Sequence, residues 1–349
     1  MSAGDRPLIL FDPEPRSRAM LFSDAMWDRL ASAAEIIAAE NGKMADSLVD
    51  KHIAEAELVI GQTDLPAERL EKAKRLRAVI NVEGNFLPNV DYAACFARGI
   101  QLLSIAPAFA LPVAEMAVGL ALDLARGITP ADRAFREGRE AYGLLGNRDS
   151  YLLTNSAIGL IGFGNLGRAL LPLLMPFRPR LRVFDPWLPE GYLREFGLEP
   201  ASLGEVLSQS KTVFVLAGVT NENQAMLGAR EFALMPEGAS LLLMSRAGVV
   251  DWQAFTEAAA SGRIRAATDV FPAEPVADDD PVRKNPGLLL SAHRAGGMKE
   301  VFRAIGEMVV DDALLILAGL PPVRLQAARR ETVGRMRSPP GRSYSREEL

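Results

Sequence analysis

Three kinds of side chain able to move protons or hold an anion stand just beyond short apolar runs in the second half of this sequence. Leu243-Met244-Ser245-Arg246 carries a guanidinium, Thr268-Asp269-Val270-Phe271-Pro272-Ala273-Glu274 two carboxylates, and Ser291-Ala292-His293 an imidazole. Near neutral pH an imidazolium can give a proton to a nascent alkoxide. A carboxylate beside it fixes the ring and favours the charged form, and an arginine grips a substrate carboxylate with two parallel hydrogen bonds. That set suits reduction of a carbonyl adjacent to a carboxylate, with the arginine also orienting the reacting carbon. The inventory is short: two histidines, His52 and His293, and one cysteine, Cys95. An internal disulfide and a Cys-rich zinc site are therefore excluded, and a His-based metal cluster is not expected. His52 lies among Asp and Glu residues and reads as surface; Cys95 reads as core.

A fourth feature is the glycine loop Ile161-Gly162-Phe163-Gly164-Asn165-Leu166-Gly167, which follows an apolar run and opens a helical pattern. In the G-x-G-x-x-G spacing Gly162 permits the tight turn, Gly164 lets the backbone approach a pyrophosphate, and Gly167 lets helix and strand pack closely. Asn165 and Leu166 open the helix, whose free N–H groups attract phosphate. The spacing alone is weak, since methyltransferases carry similar turns. Its context strengthens it: the next apolar run ends Val183-Phe184-Asp185, where an acid would accept hydrogen bonds from an adenosine ribose and repel a 2′-phosphate, favouring NAD over NADP.

Those residues need a scaffold, and the chain supplies one. Short apolar runs alternate with segments of helical period, as in βαβ units around a parallel sheet. In the first third the expected strands are 8–11, 58–60, 78–82 and 100–104, with helices near 24–40, 66–74 and 89–98. A second set of strands is expected at 157–162, 181–184, 212–216, 241–244, 266–269 and 288–290. A long helix, about 112–126, falls between the sets with Pro112 in its first turn and Gly127 past its end. A further helix at 298–318 could return to the first domain.

Composition fixes the class. The chain has 349 residues, 49% of them apolar and 24% charged, which fits two globular domains and not a disordered chain. Its 39 Lys and Arg against 44 Asp and Glu leave a net charge of −5, without the basic footprint of a nucleic-acid binder. The N-terminus lacks a signal-peptide core, and the apolar stretch 111–125 contains Glu115 and Asp123 and falls short of the roughly 20 residues of a membrane span. The expectation is a cytoplasmic protein without a membrane partner.

From about Arg75 to Gly297, through Asn89-Val90-Asp91, Val113-Ala114-Glu115, the glycine loop and the three segments around Arg246, Glu274 and His293, the chain resembles the D-isomer-specific 2-hydroxyacid dehydrogenases of the formate/glycerate dehydrogenase-like fold. The resemblance implies an α/β protein of two Rossmann-like domains with parallel sheets and the active site in the interdomain cleft. Residues 1–105 with about 297–328 would bind the substrate and 106–296 would bind NAD, leaving 329–349 as a mobile tail. It implies that Arg246 binds the substrate carboxylate, that His293 and Glu274 form the acid/base pair, and that Asp269 faces the nicotinamide carboxamide. A homodimer built largely through the cofactor domain, acting on a 2-hydroxy or 2-keto acid, is also implied. The same fold serves as an NAD(H)-sensing corepressor, whose mark would be loss of the catalytic trio, intact here. It also includes dehydrogenases of formate, which carry Gln in place of Glu274, and of phosphite.

Departures lie on the substrate side. Where the family has a Gly-rich loop, this chain has Glu83-Gly84-Asn85 after the strand 78–82. Asn85 is a candidate for direct substrate contact and the backbone at Gly84 for holding the carboxylate. Glu83 is odd beside an anion; it either points away or binds a hydroxyl or amine of a larger substrate. Arg294 adds a second cation beside His293, compatible with a phosphorylated or dicarboxylic substrate.

Overall fold

The computed structural model describes residues 6–39 and 42–337 and divides into two compact units, Met1–Phe109 with Gly297–Leu349, and Ala110–Gly296. The first is built on strands β1 (Leu8–Asp12), β2 (Glu35–Ala38), β3 (Ala56–Gly61), β4 (Ala78–Asn81) and β5 (Gln101–Ser104), all parallel, in the order β5-β4-β3-β1-β2. Every residue of β1, β3 and β4 is buried, as expected of a sheet covered on both faces. Strand order reverses between β1 and β3, and register aligns Asp12 with Gly61 and Asn81 with Ser104, so the loops after these strands leave from one edge.

β2 differs from the sequence expectation. The helix expected over 24–40 stops at Ala33, and Glu35-Ile36-Ile37-Ala38 becomes an edge strand beside β1. The isoleucines fit a helical stripe as well as a strand, and pairing with β1, invisible in a local pattern, decides between them.

The second unit contains β6 (Ala157–Ile161), β7 (Arg180–Phe184), β8 (Glu199–Pro200), β9 (Thr212–Val215), β10 (Ala239–Leu243), β11 (Ile264–Thr268) and β12 (Leu288–Leu290). They form one parallel sheet ordered β12-β11-β10-β9-β6-β7-β8, the doubly wound arrangement whose order reverses between β6 and β9. Ile161 pairs with both Phe184 and Val215, and Thr268 with both Leu243 and Leu290. The carboxyl ends of the strands that carry the candidate residues therefore lie level. The helix Ala110–Arg126 packs its Ala114, Ala117, Ala121, Leu124 and Ala125 into this unit's core with Leu170, Leu171 and Leu174. The stretch Ala106–Arg126 spans 21 residues with hydropathy 1.7, so it exceeds the expected length and would pass as a membrane span by composition. Its buried alanine face makes it a core helix.

The helix Lys299–Leu317 belongs to the first unit, where Ile305, Val309, Ala313 and Ile316 are buried with Leu21 and Leu30. Buried Asp312 accepts hydrogen bonds from the backbone N–H groups of Val323, Arg324 and Leu325, turning the chain back so that β13 (Gln326–Ala327) pairs antiparallel with β5. Past residue 329, where a mobile tail is expected, Val333 packs on the first unit's core and the Arg330 guanidinium lies 5.4 Å from the Phe96 ring. Those contacts hold the segment without an apolar periodicity that a pattern could register. The rest of that tail, 338–349, lies outside the described residues.

Candidate active site

The glycine loop spans the point where the second sheet's strand order reverses. Gly162 has φ +93°, and a Cβ there would sit 2.7 Å from Ala217 N and 2.8 Å from its Cα, in the loop after β9. Gly167 is also close-packed, since a Cβ would meet the Phe163 ring at 2.9 Å and Gly162 O at 3.0 Å. Gly164 is different: it is exposed, and a Cβ there would meet nothing within 4 Å. Two glycines thus close the turn and the third leaves its outer side open. The helix Asn165–Leu174 begins here with Gly164 as its cap, no side chain capping it, and Asn165 and Leu166 in its first turn.

Asp185, at the end of β7, accepts hydrogen bonds from Phe163 N at 2.8 Å and Trp187 N at 3.0 Å. The carboxylate thereby ties the glycine loop to the β7 end and stands half-buried beside it. The open cradle at Gly164, the uncapped helix start and this acid fit a dinucleotide: phosphates at the helix start and a ribose diol at Asp185.

Arg246, Glu274 and His293 leave the carboxyl ends of β10, β11 and β12, adjacent strands in the sheet. Glu274 Oε2 lies 2.5 Å from His293 Nδ1, and Oε1 accepts a hydrogen bond from Phe271 N at 2.9 Å. Burial pushes the Glu274 carboxyl up, but hydrogen bonds from His293 and Phe271, with the charges of His293 and Arg246, outweigh it and hold it below its ordinary value. Arg246 is thus close enough for its charge to be felt at Glu274, and its Nη1 also donates to Ser245 O at 2.7 Å.

Asp269 is 2% exposed, and its two carboxylate oxygens accept hydrogen bonds from Arg294 N and Ala295 N, each at 3.0 Å. It therefore anchors the backbone that follows His293, which itself has φ +49°. The family resemblance implied a nicotinamide contact for Asp269, and the local sequence gave no sign of this anchoring. Cys95 is buried and its thiol is pushed up to about 11, chiefly by burial, which leaves it unreactive near neutral pH.

In the first unit, Gly84 and Asn85 are half-buried in the loop after β4, with the Phe109 ring 3.2 Å from where a Gly84 Cβ would lie. Glu83 is 3% exposed, and Arg16 Nε lies 3.0 Å from its Oε1. Its charge is turned inward onto a guanidinium, which resolves the oddity of an acid in this loop. Arg16 was missed by sequence reasoning. The signal available was its place in Pro13-Glu14-Pro15-Arg16, the loop beyond the first strand, at the carboxyl edge where ligands of parallel sheets bind.

Residues 118–295 match the model of the D-isomer specific 2-hydroxyacid dehydrogenase family, NAD binding domain. A solved structure of a phosphoglycerate oxidoreductase from Rhizobium etli superposes with a TM-score of 0.84 at 46% identity, covering 94% of this chain and 100% of that one. A D-3-phosphoglycerate dehydrogenase of Archaeoglobus fulgidus is 28% identical over 76% of this chain, and the match spans 50% of that relative's length. A glyoxylate reductase of Korarchaeum cryptofilum is 29% identical over 74% of this chain and 78% of its own. The chain belongs to the D-isomer specific 2-hydroxyacid dehydrogenase family. It spans about half the length of the curated phosphoglycerate dehydrogenase relatives it matches.

Proposed function

We propose that this protein is an NAD-dependent oxidoreductase that interconverts a D-2-hydroxy acid and its 2-keto acid. The observation that carries the reading is the 2.5 Å contact between Glu274 Oε2 and His293 Nδ1, on strands adjacent to the one bearing Arg246. The nicotinamide cofactor, when bound, supplies or takes up the hydride at C2 of the substrate. Arg246 binds the substrate carboxylate and orients the carbonyl. His293 donates a proton from Nε2 to the carbonyl oxygen in reduction and accepts it in oxidation, while Glu274, on Nδ1, holds the ring and stabilises the imidazolium. Gly164 and the backbone of Asn165, Leu166 and Gly167 hold the cofactor phosphates, and Asp185 accepts from the ribose hydroxyls, favouring NAD. Gly84 and Asn85, in the loop after β4, are candidate contacts for the substrate carboxylate.

The active form is a cytoplasmic homodimer, joined through the second unit. Ile128, Phe135, Tyr142, Leu144, Leu145 and Leu152 are exposed within residues 128–152 of that unit, with Leu144 87% exposed, and a second copy of the chain would cover them. The test of activity is NADH oxidation by purified protein over hydroxypyruvate, glyoxylate, phenylpyruvate and phosphorylated 2-keto acids, with His293→Ala as control. Turnover that His293→Ala abolishes supports the reading. NADH binding without turnover across the panel would favour the NAD(H)-sensing alternative, and phosphite oxidation would mark the non-hydroxyacid one.

A further inference from the structure

The first sheet has its own reversal of strand order, between β1 and β3. In an open parallel sheet the loops beyond the carboxyl ends at such a point form a crevice where ligands bind. Arg16 stands in the loop after β1, and it reaches the end of β4, one strand beyond β3, to meet Glu83. The pair is enclosed: the two side chains are 8% and 4% exposed, and the Arg16 guanidinium lies 5.1 Å from the Phe302 ring on the helix Lys299–Leu317.

Glu83 is fixed at three points. Its N–H donates to Asn81 Oδ1 at 2.6 Å, its carbonyl accepts from Ser104 Oγ at 3.0 Å, and its carboxylate faces Arg16. The residue thus works as a post from which Gly84 and Asn85 project. Without the guanidinium, a buried carboxylate would stand one residue before the backbone proposed to receive a substrate carboxylate. Two like charges in a region of low effective dielectric repel strongly, and a buried carboxylate without its partner also forces the chain to rearrange.

We propose that Arg16 is a positioning residue for substrate binding: by pairing with Glu83 it cancels the charge behind the Gly84–Asn85 loop and fixes that loop to receive the carboxylate of a 2-keto acid. The inference rests on the reading that this loop takes the substrate carboxylate. It assigns Arg16 no contact with substrate.

The test uses full-length Arg16→Met, Glu83→Gln and the double variant, loaded with NADH, with oxalate as the probe carboxylate in titration calorimetry and KM and kcat for whichever 2-keto acid the wild type reduces. Arg16→Met is expected to weaken oxalate and raise KM by tens of fold, with kcat and NADH affinity changed less than threefold. Adding Glu83→Gln to Arg16→Met removes the stranded charge and is expected to recover most of that loss. If the double variant is as weak as Arg16→Met, the guanidinium itself binds substrate and the proposal is overturned. Unchanged oxalate affinity in Arg16→Met overturns it too, as does a wild type that does not bind oxalate. Should Arg16→Met fail to fold, the neutral polar Arg16→Gln is compared with Arg16→Gln/Glu83→Gln, and absence of recovery is again decisive. Failure of the proposed activity is read separately, as absent NADH turnover in the wild type.

Discussion

Replacing Gly162 and Gly164 separately by alanine distinguishes a glycine required by packing from one required by a ligand. At Gly162 the new Cβ would stand 2.7 Å from Ala217 N and 2.8 Å from Ala217 Cα at a backbone φ of +93°. Backbone atoms cannot swing aside, so the strained φ at about 1–3 kcal/mol and overpacking at about 1–3 kcal/mol add to about 2–6 kcal/mol. That is a large fraction of a typical stability of about 5–15 kcal/mol, and the urea midpoint should fall by on the order of 1 M. At Gly164 the Cβ meets nothing within 4 Å and φ is −79°, so Gly164→Ala should stay within about 0.5 kcal/mol of the wild type. The same Cβ would occupy the open side of the turn, where the phosphates approach, and the NADH Kd should rise about 10- to 100-fold, or about 1.4–2.8 kcal/mol. Urea unfolding and NADH fluorescence titration of both variants measure the two quantities. A Gly164→Ala protein that binds NADH like the wild type, or that loses as much stability as Gly162→Ala, would refute the reasoning.

Two further perturbations follow from the same geometry. The Glu274 carboxyl is held below its ordinary 4.5 in the folded protein, so its stabilising contribution is present above that value and lost as pH falls through the lower folded one. The stability gap between wild type and Glu274→Gln should therefore shrink as pH is lowered from about 5 toward 3, and a gap independent of pH in urea unfolding would contradict the pairing. Light scattering should give the wild type twice the chain mass of 37.7 kDa and Leu144→Asp/Leu145→Asp the single mass; a monomeric wild type would contradict the proposed dimer.

Much of the fold was legible because both sheets are made of short, almost wholly apolar runs bounded by turns, and the glycine spacing followed by Asp185 lies within a single βαβ unit. His293, Glu274 and Arg246 could be singled out because each lies in the loop that follows a strand, and parallel sheets gather those loops at one edge. What was not legible depends on partners distant in the chain. β2 is a strand only because β1 lies beside it. Glu83 looked misplaced because its counter-charge, Arg16, is 67 positions earlier in the sequence. The tie of Asp269 to the Arg294 and Ala295 amides joins the loops after two strands and left no local sign in the sequence.

The most direct test of the central claim is transfer of deuterium from NADH dideuterated at C4, measured by mass spectrometry and chiral chromatography of the product formed from a 2-keto acid. The account predicts one deuterium at C2, only the D-2-hydroxy acid, and loss of transfer in His293→Ala. Product without deuterium at C2, the L-isomer, or transfer undiminished in His293→Ala would contradict it.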